Sequence, residues 1–119
     1  MLHHVALEVE AARIPAERVF WTAVGFVQVP VPEALGEGYT WFERGGTQIH
    51  LMHSADPVVP GRGHVAIVVP DFEATMERLR DGGFQLRPGR EIWGEPRVKV
   101  STPAGHVVEL MAAPPPSQG

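Results

Sequence analysis

The stretch His4-Val5-Ala6-Leu7-Glu8-Val9 returns as His64-Val65-Ala66-Ile67-Val68-Val69 at an offset of 60 residues. A second pair, Gly46-Thr47-Gln48-Ile49-His50-Leu51-Met52 and Gly105-His106-Val107-Val108-Glu109-Leu110-Met111, matches at an offset of 59. Two matches at nearly one offset, opening and closing each half, describe an internal repeat. All four segments have strand length and strand composition, so each half begins and ends with a strand.

Between those strands, residues 14 to 24 place Phe20, Ala23 and Val24 on one face of a helix that stops before Gly25. Residues 26 to 31, 38 to 43 and 47 to 53 are short runs separated by Pro32 to Gly38 and by Gly45-Gly46, as hairpin-connected strands are. In the second half Asp71 stands where it can cap a helix with Phe72, Met76 and Leu79 on one face, and Gly82-Gly83 stops it. Strands then fall near 84 to 87, 96 to 101 and 106 to 112. The expected fold is α+β, two tandem βαβββ modules whose mixed curved sheet forms a metal-binding cup with the helices on its convex side. One domain spans residues 1–119, with module one at about 1–56, module two at about 62–112, and a disordered tail over 113–119.

With 119 residues, 44% of them hydrophobic, the chain can bury one core. A net charge of −4 leaves no electrostatic footprint for nucleic acid. There is no apolar run of about 18 residues and no basic-then-apolar leader, so the expectation is a cytoplasmic protein without membrane contact. The absence of cysteine removes disulfides, thiolate ligands and thiol nucleophiles. Any metal must be held by the six histidines and the carboxylates.

Alternation along the strands decides which of these can act together. Val5, Leu7 and Val9 share one side of the first strand, so His4 faces the other; the same parity sets His64 opposite Val65, His50 opposite Ile49, and Glu109 opposite Val108. All four polar residues therefore face away from the helices. They occupy the first and last strand of each repeat, and a pseudo-two-fold relation would bring them to one point. Three imidazoles and one carboxylate suit a divalent ion of borderline hardness: Ni, Zn, Co, Mn or Fe. His3, His53 and His106 fall off this parity and are expected to be exposed. Arg97, Lys99 and Ser101 alternate with Val98 and Val100, so valines packed under the second helix would turn the polar three into the cup. Two cations there would favour an anionic or enolate-forming substrate, and Trp41, Phe42 and Trp93 are candidates for an apolar wall around it.

In His4-Val5-Ala6-Leu7, Phe20-Trp21-Thr22-Ala23-Val24-Gly25-Phe26, Ile49-His50-Leu51, His64-Val65-Ala66-Ile67 and Gly105 followed by Glu109-Leu110, the chain resembles the vicinal oxygen chelate superfamily over residues 2 to 112. That superfamily holds glyoxalase I, fosfomycin and bleomycin resistance proteins, methylmalonyl-CoA epimerase and extradiol dioxygenases. The resemblance implies that His4, His50, His64 and Glu109 ligate the metal. It does not fix the reaction. Glyoxalase-like enzymes present two acidic ligands, whereas the first module here offers His50. Extradiol dioxygenases use two histidines and a carboxylate, which His4, His64 and Glu109 supply, but their tyrosine ten residues before the glutamate is Lys99 here. Their Asp-Pro-x-Gly-Asn turn reads Thr102-Pro103-Ala104-Gly105-His106.

The expected function is that of a glyoxalase-like metal-dependent lyase or isomerase acting on a small oxygen-chelating substrate through a stabilised enolate, with Glu109 as base and His50 as its partner. The alternatives are an extradiol-type dioxygenase, or a resistance protein that sequesters a small molecule. The short connection from His53 to Gly63, stiffened by Pro57, Pro60 and Gly61, favours modules joined edge to edge over modules folded face to face. Each half-cup then needs a two-fold mate. The expectation is a homodimer whose sites take His4 and His50 from one chain and His64 and Glu109 from the other.

Overall fold

The computed structural model describes residues 1–117. Each half of the chain builds one four-stranded sheet and one ten-residue helix. The first comprises β1 (His4–Val9), α1 (Ile14–Ala23), β2 (Val27–Val29), β3 (Tyr39–Arg44) and β4 (Thr47–His53); the second comprises β5 (Val65–Val68), α2 (Phe72–Asp81), β6 (Arg87–Pro88), β7 (Arg97–Ser101) and β8 (Val107–Met111). The strand orders β1-β4-β3-β2 and β5-β8-β7-β6 are the same topology, with the first and last strand of each module parallel and the rest antiparallel. The ladder does not cross from one module to the other, so each of the two expected modules keeps its own mixed four-stranded sheet.

The repeat places the core. Val9, Ile49, Leu51, Val69, Val98, Val100, Val108 and Leu110 turn inward from the strands, and Phe20, Trp21, Val24, Phe72, Met76 and Leu79 meet them from the helices. Burial of Val98 and Val100 turns Lys99 to the opposite, exposed side. The second strand of module two shrinks from the expected 84 to 87 to Arg87–Pro88. Phe84 stays with the helix, its N–H donating to Leu79 O, and Pro88 has no N–H with which to extend the ladder.

Asp71 does stand at the start of α2, but its carboxylate makes no capping bond. It accepts from Arg78 Nη2 at 3.0 Å and from Arg44 Nη2 at 3.5 Å instead. Arg44 reaches it from module one by passing over Gly25, where a Cβ would lie 2.9 Å from Arg44 Nε and where φ is +98°. A second fastener is hidden. Glu17 of α1 is fully buried, accepting from Trp21 Nε1 (3.2 Å) and from the Ala104 N–H (2.9 Å) in the β7–β8 turn. Both seams thus tie the helix of one module to a hairpin turn of the other. His106 belongs to this system: it is 3% exposed, not on the surface as expected, because it precedes β8 and its Nε2 donates to Glu8 O at 2.7 Å. His53, also expected to be exposed, is half-buried and hydrogen-bonded to Thr40 Oγ1. His3 is exposed.

The molecule is elongated, 44 × 34 × 26 Å, with a radius of gyration of 14.6 Å, against about 13.5 Å for a compact chain of this length. Residues 114–117 are exposed and lie outside any helix or strand. The last two residues of the expected tail, 118 and 119, fall outside the described part. No described helix is long and apolar enough to cross a membrane.

Candidate active site

Register puts equivalent residues of the two modules in equivalent rows across the sheets. In the first module Ala6, His50, Trp41 and Val29 are neighbours from β1 through β4 and β3 to β2. In the second, Ala66, Glu109, Lys99 and Arg87 are neighbours from β5 through β8 and β7 to β6. One geometry therefore carries an aromatic row and a charged row.

The aromatic row is a three-ring stack. His50 lies parallel to Trp41, centroids 3.7 Å apart, and stacks on His4 at 3.9 Å. Gln48 Nε2 donates to Glu43 Oε1 at 3.0 Å, which leaves Gln48 Oε1 to accept from His50 Nε2 at 2.7 Å. That bond selects the tautomer in which Nδ1 of His50 carries the lone pair. Burial, reinforced by the neighbouring His4 and His3, lowers the His50 pKa from 6.5 to about 4. The imidazole is neutral at pH 7. Trp41 Nε1 is buried without a partner among the described residues, so the ring is held there by stacking. With Leu35, Tyr39 and Met52, the three rings line an almost wholly apolar cavity of about 270 Å³.

The charged row centres on Glu109, which is 7% exposed. His64 Nε2 lies 3.2 Å from Glu109 Oε1, and Arg97 Nη1 lies 3.4 Å from Oε2. His64 Nδ1 donates to Arg62 O at 3.0 Å, so in the neutral ring Nε2 turns a lone pair toward a carboxylate. Two acceptors at that separation need a proton or a metal ion between them. A ring nitrogen fixed by a backbone carbonyl is also how metal-ligating imidazoles are oriented. This pair fits a divalent cation. Arg97 is steadied from three sides: by Glu109, by Arg90 O through Nε (3.2 Å), and by the Trp93 ring, 5.3 Å beneath its guanidinium. Trp93 itself donates to Ala113 O, so it backs Arg97 and is absent from the cavity of about 290 Å³ lined by Glu109, Arg97 and Lys99.

The four expected ligands thus come together as two pairs, His4 with His50 and His64 with Glu109. Among the described residues no three His, Cys, Asp or Glu side chains are grouped closely enough to hold a metal within one chain. A cavity of about 540 Å³ lies between the modules and touches none of the four.

The metal-free chain has a testable pH response. The His50 pKa is lower folded than unfolded, so the unfolded chain binds the extra proton between pH 6.5 and 4. Stability is then full above pH 6.5 and falls as pH drops toward 4. Across that window the loss is expected to be on the order of 3 kcal/mol. Urea unfolding of chelator-treated protein at several pH values measures the slope. His50→Phe, which keeps a ring in the stack, should flatten it.

Sequence analysis missed Gln48 and Glu43, although Gln48 shares the strand parity of His50 and was legible in that way. Arg87 and Arg90 were missed because the segment around Pro88 and Gly89 has no periodicity to read.

The profile of the Glyoxalase/Bleomycin resistance protein/Dioxygenase superfamily matches residues 3–110. No curated protein sequence matches the chain significantly. Among solved structures, a glyoxalase family protein from Bacillus anthracis is 25% identical, with 93% of each chain covered and a TM-score of 0.84. Lactoylglutathione lyase from Agrobacterium tumefaciens is 19% identical, covering 93% of this chain and 92% of its own, with a TM-score of 0.69. The fosfomycin resistance protein FosX from Listeria monocytogenes, complexed with Mn(II) and 1S,2S-dihydroxypropylphosphonic acid, is 18% identical, covering 96% and 93%, with a TM-score of 0.72. The repeat, the paired βαβββ sheets and the profile match agree: the chain belongs to the Glyoxalase/Bleomycin resistance protein/Dioxygenase superfamily.

Proposed function

We propose that the protein is a glyoxalase-type metal-dependent lyase or isomerase of a small oxygen-chelating substrate. In this reading His4 and His50 of one chain and His64 and Glu109 of a second copy hold one divalent ion. The observation that carries it is the His64–Glu109 contact, with His64 Nε2 facing Glu109 Oε1 at 3.2 Å and the far nitrogen of the histidine already committed to Arg62 O. Exposure of His4, the elongated shape and the separation of the two pairs within one chain support a two-fold mate. The Mn(II) of FosX supports a divalent ion of this class. Such an ion would supply a Lewis acid to paired substrate oxygens, worth several kcal/mol to a developing oxyanion.

The side chains do the rest. Glu109 is the base, and Arg97 and Lys99 beside it face the negative charge of an anionic substrate. His50 is neutral, and with Nε2 given to Gln48 it has only Nδ1 to offer, to the metal or to a proton but not to both at once. Trp41 walls the apolar side, and Trp93 keeps Arg97 in place. Lys99 directly opposite Glu109, where a dioxygenase of this superfamily would carry tyrosine, weighs against ring cleavage. The apolar character of the Trp41 cavity favours, as a second reading, a sequestering protein.

Elemental analysis of protein purified without chelator is expected to find about one divalent ion per chain. Metal-dependent exchange of a solvent proton into an α-hydroxy or α-keto substrate, with no oxygen uptake on catechols, is expected to accompany it. A chain that carries no metal and takes up none of Ni, Zn, Co or Mn on dialysis excludes the enzyme and leaves the sequestering protein.

A further inference from the structure

The chain has 10 Lys and Arg against 14 Asp and Glu, yet four of the ten, Arg87, Arg90, Arg97 and Lys99, line one cavity of about 290 Å³ that contains a single carboxylate, Glu109. Arg87 and Lys99 are directly opposed across the β6–β7 ladder, a like-charge pairing that strands ordinarily avoid. The carboxylate cannot neutralise them all: Arg97 Nη1 and His64 already occupy its two oxygens. Arg87 spends one nitrogen on Ser101 Oγ at 3.3 Å. Among the described residues the Lys99 ammonium, the Arg90 guanidinium and Arg97 Nη2 have no side-chain or backbone acceptor. The arrangement is also built rather than incidental. Gly89 leaves the room in which Arg97 lies, since a Cβ there would meet Arg97 Cγ at 3.1 Å, and Trp93 supports the guanidinium from below.

We propose that this cavity is a subsite for a multiply charged oxyanion group, separate from the chelating oxygens of the substrate. Arg87, Arg90 and Lys99 bind it directly and Arg97 divides its donors between it and Glu109. This specifies the substrate class of the proposed function and rests on that reading for its catalytic meaning, but the binding itself requires no metal. A phosphate or phosphonate matches the divergent donors of separate side chains, while a pair of carboxylates would match Arg97 and Arg87 by their planar forks. The repulsion between the two cations that the ladder holds opposite each other is relieved when the group binds, so occupation stabilises the fold.

The test uses the full, chelator-treated protein at constant ionic strength, with inorganic phosphate and malonate titrated separately against chloride and followed by calorimetry and by backbone amide shifts. One saturable site per chain is expected for phosphate or for malonate, with shifts confined to β6, β7 and the 89–96 loop; the tighter of the two identifies the group. Arg87→Gln and Lys99→Gln are each expected to weaken it about tenfold, and the double variant about a hundredfold. Arg80→Gln, on the exposed face of α2, should change it less than about twofold. Because each of the two substitutions removes a like-charge repulsion, neither should lower the unfolding midpoint. Neither anion binding above chloride, or binding that both substitutions leave unchanged, overturns the proposal. Since metal is absent throughout, failure of the metal reading appears in elemental analysis and leaves this titration intact.

Discussion

Mixing a His4→Ala, His50→Ala chain with a His64→Ala, Glu109→Ala chain is expected to restore metal binding that neither parent has. Each parent keeps one ligand pair and loses the other, so its affinity should fall by more than about 100-fold, beyond the effect of removing an outer-sphere partner alone. After exchange, random pairing makes half the dimers mixed. Each of these has one complete site and one with no ligands, which gives about a quarter of an ion per chain. Elemental analysis after verified subunit exchange reads this directly. Recovery to that level establishes that ligands are shared; none at all, with both parents folded by circular dichroism, leaves the two pairs as unrelated features of one chain.

The largest expected loss of stability from a single substitution lies away from the site. Glu17→Ala is expected to lower the unfolding free energy by about 3 kcal/mol, because it leaves Trp21 Nε1 and the Ala104 N–H buried without an acceptor and opens a hole in a fully buried position. For a chain of this size that is roughly 10 °C in Tm. Glu17→Gln keeps the volume but replaces one acceptor oxygen by an NH2 donor, so it should recover only part of the loss. A thermal melt of both variants settles the matter: a Gln variant as stable as the parent would mean that Glu17 merely fills space.

Glu17 also marks where sequence reading stopped working. Alternation set the faces of His4, His50 and Glu109, and of His64 just ahead of β5, because a strand has only two faces and the valines claim one of them. It extended to Lys99, whose flanking valines are buried as the pattern required. A helix face is chosen by its apolar residues, so a glutamate on it reads as solvent-facing unless its partners are known. The partners of Glu17 include a backbone N–H 87 residues away. His106 failed for a related reason: its parity is that of Val108 and Leu110, which face the core, and a histidine there reads as exposed unless its partner, Glu8 O of the other module, is known. Asp71 was assigned to the backbone of its own helix, and Arg44 and Arg78 took it instead. Each miss is a polar side chain satisfied across the seam, information that no local window contains.

The two fasteners between the modules differ in a way that bears on how the halves can move. The Glu17 end is dry, whereas the Arg44–Asp71 end is wet, with Asp71 48% exposed. Dissolved salt screens the wet end and leaves the dry end almost untouched. The guanidinium of Arg78 holds the Asp71 carboxyl below its ordinary range, so acid weakens the same end as pH falls through that lowered value. The two edges of the seam therefore answer differently to the medium: brine or acid loosens the ion pair on one edge, where Arg44 to Val68 O and Arg78 to Ala23 O remain, and leaves the buried glutamate on the other as it was.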